Sequence, residues 1–144
     1  MGKKRIIKKK GTSVNEGLRS RALSRLAKKK IDRGTLHIQA TYNNTIVTLA
    51  DKGGNALMAS SSGCLGFKGA KKSTPFAAAK VGELVADKAL QMGMKEVNVI
   101  IRGVGAGRES TMRAFTAKGI SVTGIQDETP VPFNGPRAKK PRRV

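Results

Sequence analysis

Charge is segregated so strongly along this chain that it decides which residues can build a core. Of a net charge of +20, residues 1–33 hold +11, with thirteen Lys/Arg against Glu16 and Asp32. Asn134–Val144 add five Lys/Arg and no acid, while the hundred residues between carry only +4. Ends so charged repel themselves and have too few apolar groups to bury, so they do not fold alone. The near-neutral middle must supply the core, and its length suits one small domain. The expected organisation is a basic N-terminal arm over 1–33, disordered when free; an α/β domain over 34–129; and a basic tail over 130–144. Charge of this kind needs a polyanion to neutralise it, which points to nucleic acid.

Other classes are disfavoured. No apolar run approaches the roughly twenty residues of a membrane helix, so no membrane partner is expected. The basic N-terminus is not followed by the apolar stretch of a secretory leader. Cys64 is the only cysteine and His37 the only histidine, which leaves no disulfide and no Cys/His metal site. Neither has a partner at fixed spacing that would make it a nucleophile or a ligand, so Cys64 reads as structural and His37 as a packing or surface residue.

The middle alternates between two hydrophobic periods. Leu36, Ile38 and Ala40 interleave with His37, Gln39 and Thr41, the pattern of a half-buried strand. Asn43-Asn44 marks a turn, because Asn tolerates left-handed backbone. The β-branched run Thr45–Leu49 ends in Asp51-Lys52-Gly53-Gly54-Asn55, a hairpin signal, and Asn55–Ser60 makes a third strand. Thr74-Pro75 opens a helix with Ala78, Val81, Val85, Ala89 and Met92 on one face and Gly93 at its end. Val97, Val99 and Ile101 form a fourth strand, a second helix covers about Glu109–Lys118, and Ile120–Gln126 is the fifth strand. In the N-terminal arm, Ser13 and Glu16 have capping-box spacing ahead of Leu18, Ala22 and Leu26, consistent with a short helix. The order β-β-β-α-β-α-β predicts a mixed five-stranded sheet whose last three strands are parallel and joined by right-handed crossovers.

Two loops invite a nucleotide reading and fail it. Gly103, Gly105 and Gly107 read G-x-G-x-G with Arg108 where a dinucleotide fingerprint needs its third glycine, although Asp127 stands at the ribose-acid distance. Gly66–Thr74 resembles a phosphate-binding loop, but Ala70 separates Gly69 from Lys71 and breaks the motif. What remains is three lysines, two hydroxyls and a capped helix start, which suits several RNA phosphates better than one nucleotide. No cofactor and no small-molecule substrate are expected. With Tyr42, Phe67, Phe76, Phe115 and Phe133 its only aromatics, the chain lacks a strand platform for base stacking, so recognition should run through phosphates, 2′-hydroxyls and shape. Asn43 and Asn44 can reach base edges or sugars from a turn tip. Asp51, Glu83, Asp87, Glu96, Glu109, Asp127 and Glu128 form no inward cluster, so two-metal hydrolysis is unsupported.

Several segments together resemble a known family. Tyr42–Thr48, Gly66-Phe67-Lys68-Gly69, Lys72-Ser73-Thr74-Pro75, Gly107-Arg108-Glu109-Ser110 and Asp127–Pro132 with Asn134-Gly135 stand in the order of the universal small-subunit ribosomal protein number eleven, of bacterial or plastid type. The resemblance covers about Gly34–Val144. It implies an RNase-H-like α/β sandwich used without catalysis, a structural binder that bridges rRNA helices on the small-subunit platform near the Shine–Dalgarno cleft. The implied neighbours are small-subunit ribosomal proteins seven and eighteen, initiation factor three and nearby mRNA. The implied location is the ribosome, in a bacterial cytoplasm or a plastid stroma. Carried onto this chain, the RNA-contacting positions are Asn43, Asn44, Lys68, Lys71, Lys72, Arg108 and the tail at Asn134, Arg137, Lys139, Lys140, Arg142 and Arg143. Arg113 on the second helix is a further candidate, and Lys3, Lys4, Arg5, Lys8, Lys9 and Lys10 are those of the N-terminal arm. Val104 and Ala106 replace two family prolines, and Phe133 and Pro136 replace the family's His and Cys. The rival readings are a metal-dependent nuclease using Asp51 or Asp127 and a general DNA-compacting protein.

Overall fold

The computed structural model describes residues 30–143, together with Gly17 and Ser20. The short helix expected from Ser13 and the candidates Lys3, Lys4, Arg5, Lys8, Lys9 and Lys10 lie outside the described residues.

Three strands form a meander: β1 (Arg33–Ala40), β2 (Thr45–Asp51) and β3 (Ala56–Ser61). A 3-10 turn (Gly69–Ser73) leads into α1 (Pro75–Gln91), followed by β4 (Glu96–Arg102), α2 (Gly107–Thr116) and β5 (Ser121–Asp127). The alternation in β1 places Leu36, Ile38 and Ala40 in the core at no more than 1% exposure, with Thr35, His37 and Gln39 on the other face. On β4, Val97, Val99 and Ile101 are buried in the same way. The Thr74 hydroxyl caps α1 by accepting from Ala77 N–H at 3.3 Å, and Pro75 follows as the first helical residue.

The sheet order is β3-β2-β1-β4-β5, antiparallel from β3 to β1 and parallel from β1 to β5. The last three strands run in one direction as expected, but β3 and β4 are not neighbours. The connection through α1 passes over β2 and β1, so the parallel partner of β4 is β1. Both crossovers advance the same way across the sheet. Right-handed connections then place both helices on one face. They pack on each other there, with the Thr111 hydroxyl of α2 3.4 Å from the Ala78 carbonyl of α1. The result is a two-layer α/β sandwich. Its core lies between sheet and helices, around Leu36, Val47, Leu49, Val81, Val85, Val99 and Phe115. No described element covers the opposite face of the sheet.

The strand directions sort the connections by end. The β1–β2 turn, the β3–α1 loop, the β4–α2 loop and the tail after β5 all lie at one end, with the N-termini of both helices. The chain enters β1 at the opposite end, where Ile31 N–H donates to the Met92 carbonyl and the Asp32 carbonyl accepts from Lys95 and Glu96.

Candidate nucleic-acid interface

The β1–β2 turn is built by Thr41. Its hydroxyl accepts from Asn44 N–H at 3.1 Å and donates to the Asn44 carbonyl at 3.0 Å, while Thr41 N–H also reaches that carbonyl. The expectation that the asparagines supply left-handed backbone is corrected here, because among the described non-glycine residues only Asn134 has a positive φ, 52°. With Thr41 making the turn, the Asn43 carboxamide projects from its tip, exposed. Asn44 Oδ1 is buried without a hydrogen-bond partner, as are Thr45 Oγ1, Ser62 Oγ and Ser110 Oγ. Buried polar atoms are usually paired, so this group marks the ground beneath the loops as polar.

In the β3–α1 loop, Leu65 and Phe67 bury themselves and anchor the approach to the lysine-bearing turn. The ring of Phe67 meets Phe76 edge-on at 6.1 Å, and Lys80 lies over Phe76 at 5.8 Å. Lys68 and Lys71 are exposed and Lys72 half-buried. The two hydroxyls are turned inward: Ser73 donates to the Ala70 carbonyl at 3.0 Å and Thr74 to the Lys71 carbonyl at 2.7 Å. The lysines, and not the hydroxyls, are what this loop offers to a ligand.

The glycine loop Gly103–Gly107 packs against the β1–β2 turn. A side chain at Gly103 would collide with the Ala40 carbonyl and one at Gly105 with the Thr41 carbonyl, and Gly103 has φ 96°. Gly105 N–H donates to the Ala40 carbonyl at 2.9 Å. These glycines hold loop against turn; they do not cradle a pyrophosphate. Helix α2 begins at Gly107, earlier than the expected Glu109, and no side chain caps it.

Arg108 closes a clasp over this loop. Its guanidinium donates to the Gly103 carbonyl, to the Asp127 carboxylate and, at 3.3 Å, to the Thr129 hydroxyl. Thr129 Oγ1 donates to Asp127 at 2.5 Å and accepts from Gly103 N–H at 3.2 Å. These bonds to the ionised form hold Asp127 down from 3.8 to about 2, chiefly the Thr129 hydroxyl and then Arg108. Glu128 adds an ion pair with Arg102 at 2.5 Å and a backbone bond to the Ile101 carbonyl at 2.9 Å. The root of the tail is thereby fixed to the glycine loop.

Ion pairing divides the cations by place. Glu83, Asp87, Glu96, Glu109, Asp127 and Glu128 are paired with Lys80, Lys118, Arg33, Arg113, Arg108 and Arg102. Lys68, Lys71, Lys72, Arg137, Lys139, Lys140, Arg142 and Arg143 form no ion pair among the described residues. All eight belong to one end of the domain or to the tail that leaves it. At the opposite end, among the described residues, Lys30, Lys52 and Lys95 also stand outside these six pairs, as does Lys88, which is buried in the last turn of α1.

Asn43, Asn44, Lys68, Lys71, Lys72 and the root of the tail are thus gathered at one end of the sheet, and Asn134 and the tail cations stand exposed. Arg108 is there too, its guanidinium engaged in the clasp. Arg113 is not: it sits in the last turn of α2, paired with Glu109 at 3.1 Å. The charge reading missed Tyr42, Phe76 and Phe133, which are 77%, 57% and 97% exposed at this same end. The signal was a large aromatic in a turn and another at a helix start, positions that a search of strands overlooks. It also missed Thr129, two residues after Asp127, the spacing at which a carboxylate can bond its own backbone.

Among the described residues, no group of three or more His, Cys, Asp or Glu could hold a metal ion. Cys64 is exposed and accepts a hydrogen bond from the Ser61 hydroxyl at 3.2 Å. No described helix is long and apolar enough to cross a membrane.

A two-layer α/β domain with unpaired cations gathered at one end defines a class of basic, polyanion-oriented proteins. Comparison with known families makes this specific: the profile described as Ribosomal protein S11 matches residues 34–143. The chain belongs to that family. It is a structural protein of the small ribosomal subunit, part of a ribonucleoprotein that acts in translation.

Proposed function

We propose that this end of the sheet docks on small-subunit rRNA at the platform and that the N-terminal arm and the tail bridge neighbouring rRNA helices without any catalysis. The observation that carries the reading is the partition of charge. Six of the domain's seven acids are ion-paired elsewhere and the seventh, Asp51, accepts hydrogen bonds from Asn55, so the eight cations that form no ion pair among the described residues draw their counter-charges from outside the domain. In this reading Lys68, Lys71 and Lys72 meet phosphates and Asn43 and Asn44 meet sugars or base edges. Arg108 contributes mainly by fixing where the tail leaves, and Arg113 supports contacts from the flank of α2. Tyr42, Phe76 and Phe133 offer faces for unstacked bases. The arm residues Lys3, Lys4, Arg5, Lys8, Lys9 and Lys10 add sequence-independent affinity, ordering on assembly.

The same reading puts the chain near the mRNA cleft, beside small-subunit ribosomal proteins seven and eighteen and within reach of initiation factor three, in a bacterial or plastid ribosome. A nuclease reading fares worse on placement. Asp51 pairs in register with Gly34 at the start of β1, whereas Asp127 pairs with Ile101 at the far end of β4. Carboxylates at opposite ends of a sheet cannot share a pair of metal ions about 4 Å apart.

The test is chemical footprinting of small-subunit rRNA with the full chain and with the Lys71→Ala/Lys72→Ala variant. Loss of a discrete set of protections, with affinity for unrelated RNA reduced far less, is the expected result. A variant weakened equally on every RNA would remove the case for docking by this loop.

A further inference from the structure

The face of the sheet that no described element covers differs from the rest of the described residues in charge. Its charged side chains are Arg33 with Glu96, 2.6 Å apart at one end, and Arg102 with Glu128, 2.5 Å apart at the other. Between them the strands present Thr35, His37, Gln39, Thr48, Asn98 and Ile100, with Ile46 38% exposed. In a chain with 29 Lys/Arg among 144 residues, the described strands present on this surface no cation without an acid beside it. A phosphate-binding face would be built the other way, since each paired carboxylate repels a phosphate. Depletion of unpaired charge around exposed aliphatic groups is what the centre of a protein interface shares with this face.

The face also has relief. A hollow of about 210 Å³ is lined by His37, Gln39, Ile46, Thr48, Ile100 and Arg102. A cavity of about 150 Å³ accepts benzene, so this hollow has room for one large apolar side chain. Five strands about 4.8 Å apart and seven residues long at about 3.3 Å each give a face of roughly 450 Å². That flat footprint is at the small end for a specific interface, which buries roughly 800 Å² of accessible surface per partner. A contact of this size suits an occupant also held by other parts of the same particle better than a second copy of the chain held by this face alone.

We propose that this face docks a neighbouring protein of the same ribonucleoprotein, one that presents an uncharged surface and seats an aliphatic side chain in the hollow beside Ile46. The assignment rests on the small-subunit reading above. It divides the molecule by partner: RNA at the end of the sheet, protein on its open face.

The test uses the full chain reconstituted into small subunits, with a photo-crosslinking amino acid at Ile46 and, in a parallel sample, at Lys71. From Ile46 the expected product is a nuclease-resistant adduct that mass spectrometry assigns to an uncharged segment of another subunit protein; from Lys71 it is an RNA adduct. Ile46→Asp and Ile46→Arg should each lower occupancy of the crosslinked protein at least fivefold and leave rRNA affinity within twofold. A nuclease-sensitive adduct at Ile46 would overturn the assignment. So would rRNA affinity that falls with Asp and rises with Arg, because only RNA distinguishes those charges by sign. A crosslink to residues 1–29 of the same chain or to a second copy, or no Ile46 adduct where Lys71 does crosslink RNA, overturns it as well. If the full chain neither binds rRNA nor crosslinks to it from Lys71, the underlying functional reading is what fails.

Discussion

Asp127 accepts hydrogen bonds from the Thr129 hydroxyl and N–H and from Arg108, and all three favour its ionised form. Its folded value of about 2 lies below the ordinary 3.8. A depressed carboxylate contributes stability that is complete above its unfolded value and is lost as pH falls through the folded one. The clasp should therefore hold at neutral pH and fail between about pH 4 and pH 2. Thermal melts across that window should show the wild type losing stability more steeply than Asp127→Asn, which has no carboxylate to protonate. Parallel curves would mean that the clasp adds nothing. This arrangement was not legible in the sequence. Arg108 and Asp127 were each visible, as a phosphate ligand and as a ribose acid, but their pairing depends on the register of β5 against β4, which shifts at Val97/Asn98. Tyr42 escaped for a different reason, since a turn aromatic belongs to no hydrophobic period.

Elements whose burial repeats at a single local period were read well. Leu36, Ile38 and Ala40 on β1, or Ala78, Val81, Val85 and Ala89 on α1, declare their buried face without any knowledge of what covers it. Neighbourhood is another matter. Nothing local states that β1, and not β3, lies beside β4, because that choice is made by the shared core of the whole sheet. The one-sided placement of the helices follows from two crossovers advancing in the same direction, and so becomes readable only once the strand order is known. The glycine loop lies between these cases. Its composition marked a tight turn, yet the reason for it is the backbone of Ala40 and Thr41 pressed against it. Gly103→Ala meets both a φ of 96° and the Ala40 carbonyl. It should destabilise the domain by about 2–3 kcal/mol in urea unfolding, within the range for a strained non-glycine backbone. A change below about 0.5 kcal/mol, the scale of an ordinary surface substitution, would show that the loop can move away from the turn.

At the scale of the molecule, the two basic segments leave from opposite ends of the sheet. Residue 33 opens β1 at one end, and the tail departs after Asp127 at the other. Eight residues of β1 at about 3.3 Å each separate the two exits by roughly 26 Å. On the proposed docking each segment would neutralise its own stretch of RNA, and their salt dependences should add. Deleting Arg137–Val144 removes all five Lys/Arg of the tail. The slope of log affinity against log salt should then fall by about 0.7–0.9 for each phosphate the tail had neutralised. A slope unchanged after the deletion would mean that the tail neutralises no phosphate. Opposed exits also bear on how the bound protein leaves. If the proposed docking holds, then when one segment detaches the other and the docked loops would keep the protein tethered, and the freed segment would rebind as an intramolecular event at roughly millimolar effective concentration. Spontaneous escape is then rare, whereas a competing RNA strand can capture one end at a time. The lifetime of the complex should shorten as free competitor rises, which makes exchange of this protein a property of its surroundings as much as of its own affinity.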